Sequence, residues 1–381
     1  MRMPSAGRAL RRVLQVASSL ACAAPALAQA SVNEYAEDRF AEAEARPAPA
    51  VQKGSWVVVP IPVANPTLGN GLQVAALYLH PKGADDANSP SDTSGVGGMA
   101  TDNGARLLGF FHDGSYAHDR FRLSGFVGSG KFELKFFGIG NATLDSDHAL
   151  PYRIEGTIGQ VRAAVRMPRT QDWFVGLSLL YIDATVTVET SQVVPPLPDV
   201  PLDFRNTGVG PYVQYDSRDS NYYPRSGQYF RATWMKFTSE GGLHESFDKG
   251  DAFYNAYLPV RPSSVLALRT RLQTSSGETP FFQLPTLDMR GFSRDRYRDN
   301  FSVSATAEWR EKLATRWGAM AFVEAGRVAP SFGDLGSART ITSVGGGVRW
   351  RPSADKDLNL GVDFAISTDD RAVFIQIGEK F

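Results

Sequence analysis

The segment LPTLDMRGFSRDRYRDN, residues 284–300, sets Arg290, Arg294, Arg296 and Arg298 within nine positions of a stretch whose proline and glycine read as a loop. A guanidinium withdrawn from water needs a carboxylate, because an unpaired buried charge is strongly destabilising. Glu308 in TAEWR and Glu324 in AFVEAGRV are the candidates downstream. Arginine and carboxylate can pair through two parallel hydrogen bonds, which fixes orientation as well as charge. The chemistry on offer is therefore the pinning of a loop. Bond-making chemistry finds less support. The five histidines, His80, His112, His118, His148 and His244, stand beside no nucleophile pattern in the sequence. The glycine run 345–347 sits inside a strand-like stretch and precedes no helix, so it is no phosphate loop. No cluster of metal-ligating residues occurs, and neither an enzyme nor a cofactor is expected.

The setting of that loop follows from the ends of the chain. Arg2, Arg8, Arg11 and Arg12 precede the apolar run VLQVASSLACAAPALA and A-x-A cleavage sites at 26–30, which together read as a secretory signal peptide over 1–30. The single cysteine, Cys22, lies within it, so the mature chain has no thiol chemistry. Removing that leader takes the formal charge from zero to −4, and nothing points to nucleic acid. Residues 31–53, with Tyr35, Phe40 and alternating acids and alanines before Pro47, read as a short periplasmic helix and linker.

From residue 54 to 381 the dominant period is two. In NLGVDFAIS, Leu360, Val362, Phe364 and Ile366 oppose Asn359, Gly361, Asp363 and Ser367; in SVSATAEWR, Val303, Ala305, Ala307 and Trp309 oppose serines, Thr306, Glu308 and Arg310. No stretch after residue 30 reaches the roughly 18 apolar residues of a membrane helix, but a closed barrel crosses a membrane with alternating strands. About sixteen such segments are read, at 55–63, 70–80, 95–102, 104–117, 119–138, 151–168, 171–188, 206–217, 227–239, 249–260, 263–275, 301–311, 315–327, 340–351, 357–367 and 371–381. The expected fold is all-β, a transmembrane antiparallel barrel with lipid outside and a wet lumen inside.

With the N-terminus periplasmic, the turns after even strands are short and those after odd strands long, at 139–150, 189–205, 276–300 and 328–339. The polar segment 81–94 breaks the rule. The arginine loop becomes the sixth outer loop. Folded inward, its Arg290 would reach Glu308 and Glu324, the latter on a strand face shared with Phe322 and Gly326. Asp216, Arg218 and Asp219 read as a charged strand end tied to a turn by Pro224 and Gly227.

The seam between first and last strand is the second informative place. Pro60 and Pro62, two apart, remove N–H groups from one edge of the first strand, and that edge is expected to face the last. The last segment ends on Phe381, a terminal aromatic of the kind found on membrane strands, although Glu379 stands where an apolar residue is expected.

Three motifs in order carry a family resemblance. MRGF at 289–292, FVEAG at 322–326 and YDSRDSNYYPRSG at 215–227, with PIPVANPTLG and GLQVAALYL near the start, resemble the BamA/TamA-like outer-membrane proteins of the bacterial surface-antigen superfamily. Glu324 replaces the usual Asp of the second motif. The resemblance covers about residues 54–381 and is to a branch without POTRA domains. It implies a Gram-negative outer-membrane barrel in which Arg290 locks loop six, Gly291 allows its tight turn and Phe292 anchors it, with Glu308 and Glu324 as partners. It also implies parting of the first and last strands, assistance to protein or lipid insertion or transport, and partners that are outer-membrane lipid and a protein client or second copy. A passive diffusion channel, with loop six as a constriction, stays open as the alternative reading.

Overall fold

Alternation at this density leaves each strand with one face for lipid and one for the interior, and the chain satisfies both by closing. In the computed structural model, residues 54–381 are described apart from 82–91, 142, 145–147, 190–198, 220–222, 241–245, 352–358 and 378. The expected signal peptide and the helix and linker over 31–53 lie outside the described residues, as does most of the polar loop after the second strand.

The strands are β1 (Ser55–Asn65), β2 (Gly69–Leu79), β3 (Thr93–Thr101), β4 (Arg106–Tyr116), β5 (Phe121–Phe136) and β6 (Leu150–Arg166). They continue with β7 (Trp173–Val188), β8 (Val200–Asp216), β9 (Gly227–Ser239), β10 (Ser246–Arg261) and β11 (Ser264–Gly277). The series ends with β12 (Phe301–Lys312), β13 (Trp317–Ala329), β14 (Ile341–Trp350), β15 (Leu360–Ser367) and β16 (Arg371–Ile377). All sixteen form one closed barrel in which each strand pairs with its sequence neighbours and β1 meets β16. Residues 278–300 between β11 and β12 form loop six, which holds two 3-10 turns, Phe281–Gln283 and Arg294–Arg296.

The faces divide as the alternation requires. Val362, Phe364 and Ile366 of β15 are about half exposed, at 52%, 47% and 50%, whereas Asp363 between them is fully buried. Apolar residues therefore face outward, where a bilayer rather than water would cover them.

Three expectations are corrected. The strand expected at 206–217 begins six residues earlier, because Val200–Arg205 pair in register with Val188–Asp183 of β7 despite Pro201 and Asp203, whose types read as loop. The last strand stops at Ile377, four residues short of the expected end. The lumen is not uniformly wet: over β5 to β10 it is filled by Phe126, Phe132, Tyr152, Ile154, Ile158, Leu180, Ile182, Phe204, Phe237 and Phe247. Phe282 of loop six belongs to the same cluster, so the apolar wall has an apolar loop to cover.

The ladders are uneven. Between consecutive strands the register runs from seven pairs for β15 and β16 to sixteen for β5 and β6. Between β1 and β16 it is, among the described residues, the single pair Ala64 with Ile375.

Candidate functional site

Loop six enters the lumen on aromatic contacts and is held there by charge. Phe281 packs edge-on to Phe136 and Tyr152, with ring centroids 4.8 and 5.3 Å apart, and Phe282 meets Phe204 at 4.9 Å. These rings come from β5, β6 and β8, and each such pair adds about 0.5–1.5 kcal/mol beyond its burial. The loop then crosses to the other wall.

There Arg290 meets three carboxylates from three strands. Its Nη2 lies 2.8 Å from Glu308 Oε2 of β12, its Nε 3.2 Å from Glu324 Oε1 of β13, and its Nη1 3.3 Å from Asp363 Oδ2 of β15. Its backbone N–H donates to Glu324 Oε2 at 2.5 Å, and its guanidinium carbon sits 3.5 Å from the centre of the Phe322 ring. Glu308, Glu324 and Asp363 are all fully buried. The fan-shaped guanidinium suits this task, since a lysine could present only a point charge.

The neighbouring positions shape the turn around that side chain. Gly291 has φ +99°, in the left-handed region that a Cβ disfavours, and an added Cβ would lie 3.0 Å from Ser343 Oγ and Ser367 Cβ. Its carbonyl accepts from Ser367 Oγ at 3.1 Å. Phe292 is buried with Leu287, Met289, Tyr297, Val328 and Ile341, and stands edge-on to Tyr297 at 5.0 Å. Gly326 makes room for the loop: a Cβ there would come within 2.5 Å of Leu287 Cδ1. Two further arginines of the loop are also answered, Arg296 by Asp370 at 3.4 Å and Arg298 by Asp295 at 3.0 Å and by the Phe281 carbonyl at 2.9 Å.

Phe381 is not part of the seam. It is buried in the lumen with Tyr257, Val265 and Ala267, and its carbonyl accepts from Arg310 Nη2 at 2.7 Å. The chain turns inward after Ile377 because Glu379 and Lys380 find buried charges there: Arg349 Nε lies 2.8 Å from Glu379 Oε2, and Lys380 Nζ lies 3.0 Å from Glu324 Oε1. Glu379 thus departs from the membrane-strand pattern for a physical reason. Pro60 and Pro62 are exposed on the outer face, and the β1–β2 register runs unbroken past them. At the far turn, Arg218 is buried and clasps Asp216 through two bonds of 3.0 and 3.2 Å, while Asp219 accepts from the Arg225 and Ser226 N–H groups.

This geometry, a sixteen-strand barrel with an arginine of loop six bound to acids on β12, β13 and β15, can be set beside known proteins. The Omp85 superfamily domain matches residues 108–378. The chain belongs to the Omp85 superfamily. Among solved structures, this Omp85 chain is similar to BamA from Haemophilus ducreyi lacking POTRA domains 1-3, with TM-score 0.59, 15% identity, and coverage of 86% of this chain and 70% of that one. It is also similar to CdiB from Acinetobacter baumannii, with TM-score 0.57, 11% identity and coverage of 86% and 60%. CdiB from Escherichia coli gives TM-score 0.58, 11% identity and coverage of 85% and 62%. At these identities the likeness is one of fold. The chain spans about three fifths of each CdiB chain. No curated protein sequence matches it.

Some residues of this Omp85 site escaped the sequence reading. Asp363 had a visible signal, its lumen-side place in the alternation of NLGVDFAIS, but it lies 73 positions from Arg290 and nothing in the sequence linked the two. Arg310, Arg349, Glu379 and Lys380 were hidden by the expectation that β16 runs to the end. His80 and His112, which stand beside no nucleophile in the sequence, are brought by β2, β3 and β4 to opposite sides of Ser94 Oγ, each at 2.8 Å. They share one rim of the outer face with Trp56 and Tyr78, whose rings are 5.1 Å apart, and Tyr116 bonds the far nitrogen of His112 at 3.2 Å. Aromatic and amphipathic side chains of this kind suit the headgroup level of a bilayer.

Proposed function

We propose that this Omp85 barrel works at the Gram-negative outer membrane by parting its wall between β1 and β16, assisting insertion or transport of protein or lipid while loop six fills the lumen. The observation that carries this reading is the contrast, among the described residues, between one register pair at that joint and seven to sixteen at the others. Pro60 and Pro62 support it by removing N–H groups from one edge of β1. Loop six touches both sides of the joint: the Arg294 N–H donates to Thr67 Oγ1 at 3.2 Å in the turn after β1, and Lys380 beyond β16 reaches the Asp288 carbonyl at 3.3 Å. Arg290 is then the lock, Gly291 allows its tight turn, Phe292 anchors the loop, and Glu308 and Glu324 are its seat. The partners are lipid and a protein client or second copy. A passive diffusion channel loses support because the charge of Arg290 faces three carboxylates and has none left to select anions.

Paired cysteines at Ala64 and Ile375 test the reading, since Cys22 is the only native thiol and lies in the expected leader. Oxidised Ala64→Cys/Ile375→Cys protein in vesicles should lose its acceleration of barrel-protein insertion or lipid transfer and regain it on reduction. Full activity in the oxidised form would end the lateral-opening reading.

A further inference from the structure

Three consecutive residues after β16 each meet a different kind of partner inside the barrel. The acid, Glu379, accepts from Arg349 Nε at 2.8 Å and from Asn359 Nδ2 at 2.9 Å. The base, Lys380, donates to Glu324 Oε1 at 3.0 Å and to the Asp288 carbonyl at 3.3 Å. The aromatic, Phe381, fills an apolar recess of Tyr257, Val265 and Ala267, while Arg310 bonds its carbonyl at 2.7 Å and stands 5.3 Å from its ring.

Six charges around the segment balance with or without it. Arg290, Arg310 and Arg349 face Glu308, Glu324 and Asp363, three cations against three anions, through pairs that do not involve the segment. The side chains of Glu379 and Lys380 add one charge of each sign. Withdrawing the two together therefore strands no net charge in the wall, which is what separates a removable ligand from a structural ion pair. A small cleft lined by Arg310, Arg349, Asn359 and Glu379 among others gives the place an entrance.

We propose that the lumen contains a peptide-binding site for an acid–base–aromatic triplet, occupied in cis by Glu379–Phe381, and that this occupancy couples the seam strand to loop six. The segment is continuous with β16, and its lysine sits on the same carboxylate that holds Arg290. Displacing β16 pulls Lys380 from Glu324 and Glu379 from Arg349. The ligand is a short peptide with those three side chains in order. The coupling rests on the proposed parting of β1 from β16; the site itself does not.

A barrel ending after Gly378, with refolding checked by heat-modifiable gel mobility, should bind a labelled peptide Gly-Glu-Lys-Phe by fluorescence anisotropy. Replacing the peptide's lysine by glutamine should weaken binding about tenfold, the equivalent of about 1.4 kcal/mol or one charge-assisted hydrogen bond. The full-length barrel should bind it far more weakly, its site being filled. In planar bilayers the shortened barrel should open more often than wild type, and the peptide should quieten it. Lys380→Met in the full chain, which removes the ammonium and leaves Glu379 and Phe381 seated, should raise opening by a smaller factor in the same direction. No binding to a folded shortened barrel, or equal binding by both barrels, overturns the site. Binding without any change in opening leaves the site standing and overturns the coupling. If Arg290→Ala is equally silent in conductance, the loop-six reading has failed, and the anisotropy result still decides the site.

Discussion

Arg290 and Glu324 meet twice: the guanidinium Nε lies 3.2 Å from one carboxylate oxygen, while the Arg290 backbone N–H donates to the other at 2.5 Å. One acid thus fixes the arginine's main chain and its side chain together. Changing the side chain cannot release the loop completely, but it removes the one charge, among the described residues, that is paired with all three buried acids.

Arg290→Ala should therefore cost about 3–5 kcal/mol of stability, the range for breaking a buried pair, because Glu308, Glu324 and Asp363 lose their common partner. Arg290→Lys should recover only part of this, since an ammonium cannot fan out to three strands. Urea unfolding of both variants in detergent, with planar-bilayer conductance beside it, measures the effect. Equal stability of wild type and Arg290→Ala would show that the loop is held elsewhere.

Loop six should also be dislodged without touching a charge. Gly326→Val places atoms where Leu287 Cδ1 and the Met289 sulfur already stand, 2.5 and 2.9 Å from an added Cβ. Protease should then cut within 278–300 in the variant and spare the wild type, and channel openings should rise as they do for Arg290→Ala.

The aromatic half of the anchor gives a separate outcome. Phe282→Ala, which empties a place against Phe204, should cost about 3–5 kcal/mol with the charge network intact. Combined with Arg290→Ala the losses should add to within about 0.5 kcal/mol, because the two anchors share no partner.

The turn between β4 and β5 predicts a pH dependence. Burial alone would raise the Asp119 carboxyl, but two hydrogen bonds of 2.8 Å and the charge from Arg122, with Ser115 and Arg166 beside it, hold it below the ordinary carboxylate value. A depressed acid stabilises the fold above its unfolded pKa of about 4, and that contribution disappears as pH falls through the folded value. Asp119→Asn should thus be less stable than wild type at neutral pH, by on the order of 1 kcal/mol after solvent screening, with the gap closing in acid. Unfolding midpoints at pH 7 and pH 3 check this.

That same turn holds Ala117, His118 and Asp119 at φ 54°, 58° and 60°. Ala117→Gly relieves one left-handed L-residue and should stabilise by about 0.5–1 kcal/mol, the excess over glycine's own entropy cost. A loss of stability would mean that the alanine methyl packs better than the strain costs.

How much of this was legible follows from what alternation encodes. It marks the face of every residue, so Trp309 against Glu308 and Val323 against Glu324 were readable, and the strand count with them. It does not mark distance across a closed ring. Asp363 was placed on the right face and still not joined to Arg290, because closure brings them together and no local pattern records it. The end of β16 was misread for a related reason: Phe374, Gln376 and Lys380 keep the lumen phase, so a strand and an inward-turned tail look alike in sequence. Only Glu379 broke the expected pattern, and it is the residue that Arg349 holds. The cluster of His80, Ser94 and His112 was invisible because its members come from the end of β2, from β3 and from β4.

The wall is not of even height. β6 and β8 have 17 residues each, whereas β15 and β16, beside the weak joint, have 8 and 7. Seven residues at about 3.4 Å each, tilted near 40°, span about 18 Å of bilayer, short of the usual apolar band of about 25 Å. Lipid against β16 must shorten its chains or let headgroups sink toward the midplane, at a fraction of a kcal/mol for each ångström of mismatch. If the joint parts as proposed, a polar segment crossing there would have a shorter hydrocarbon path than beside the 17-residue strands.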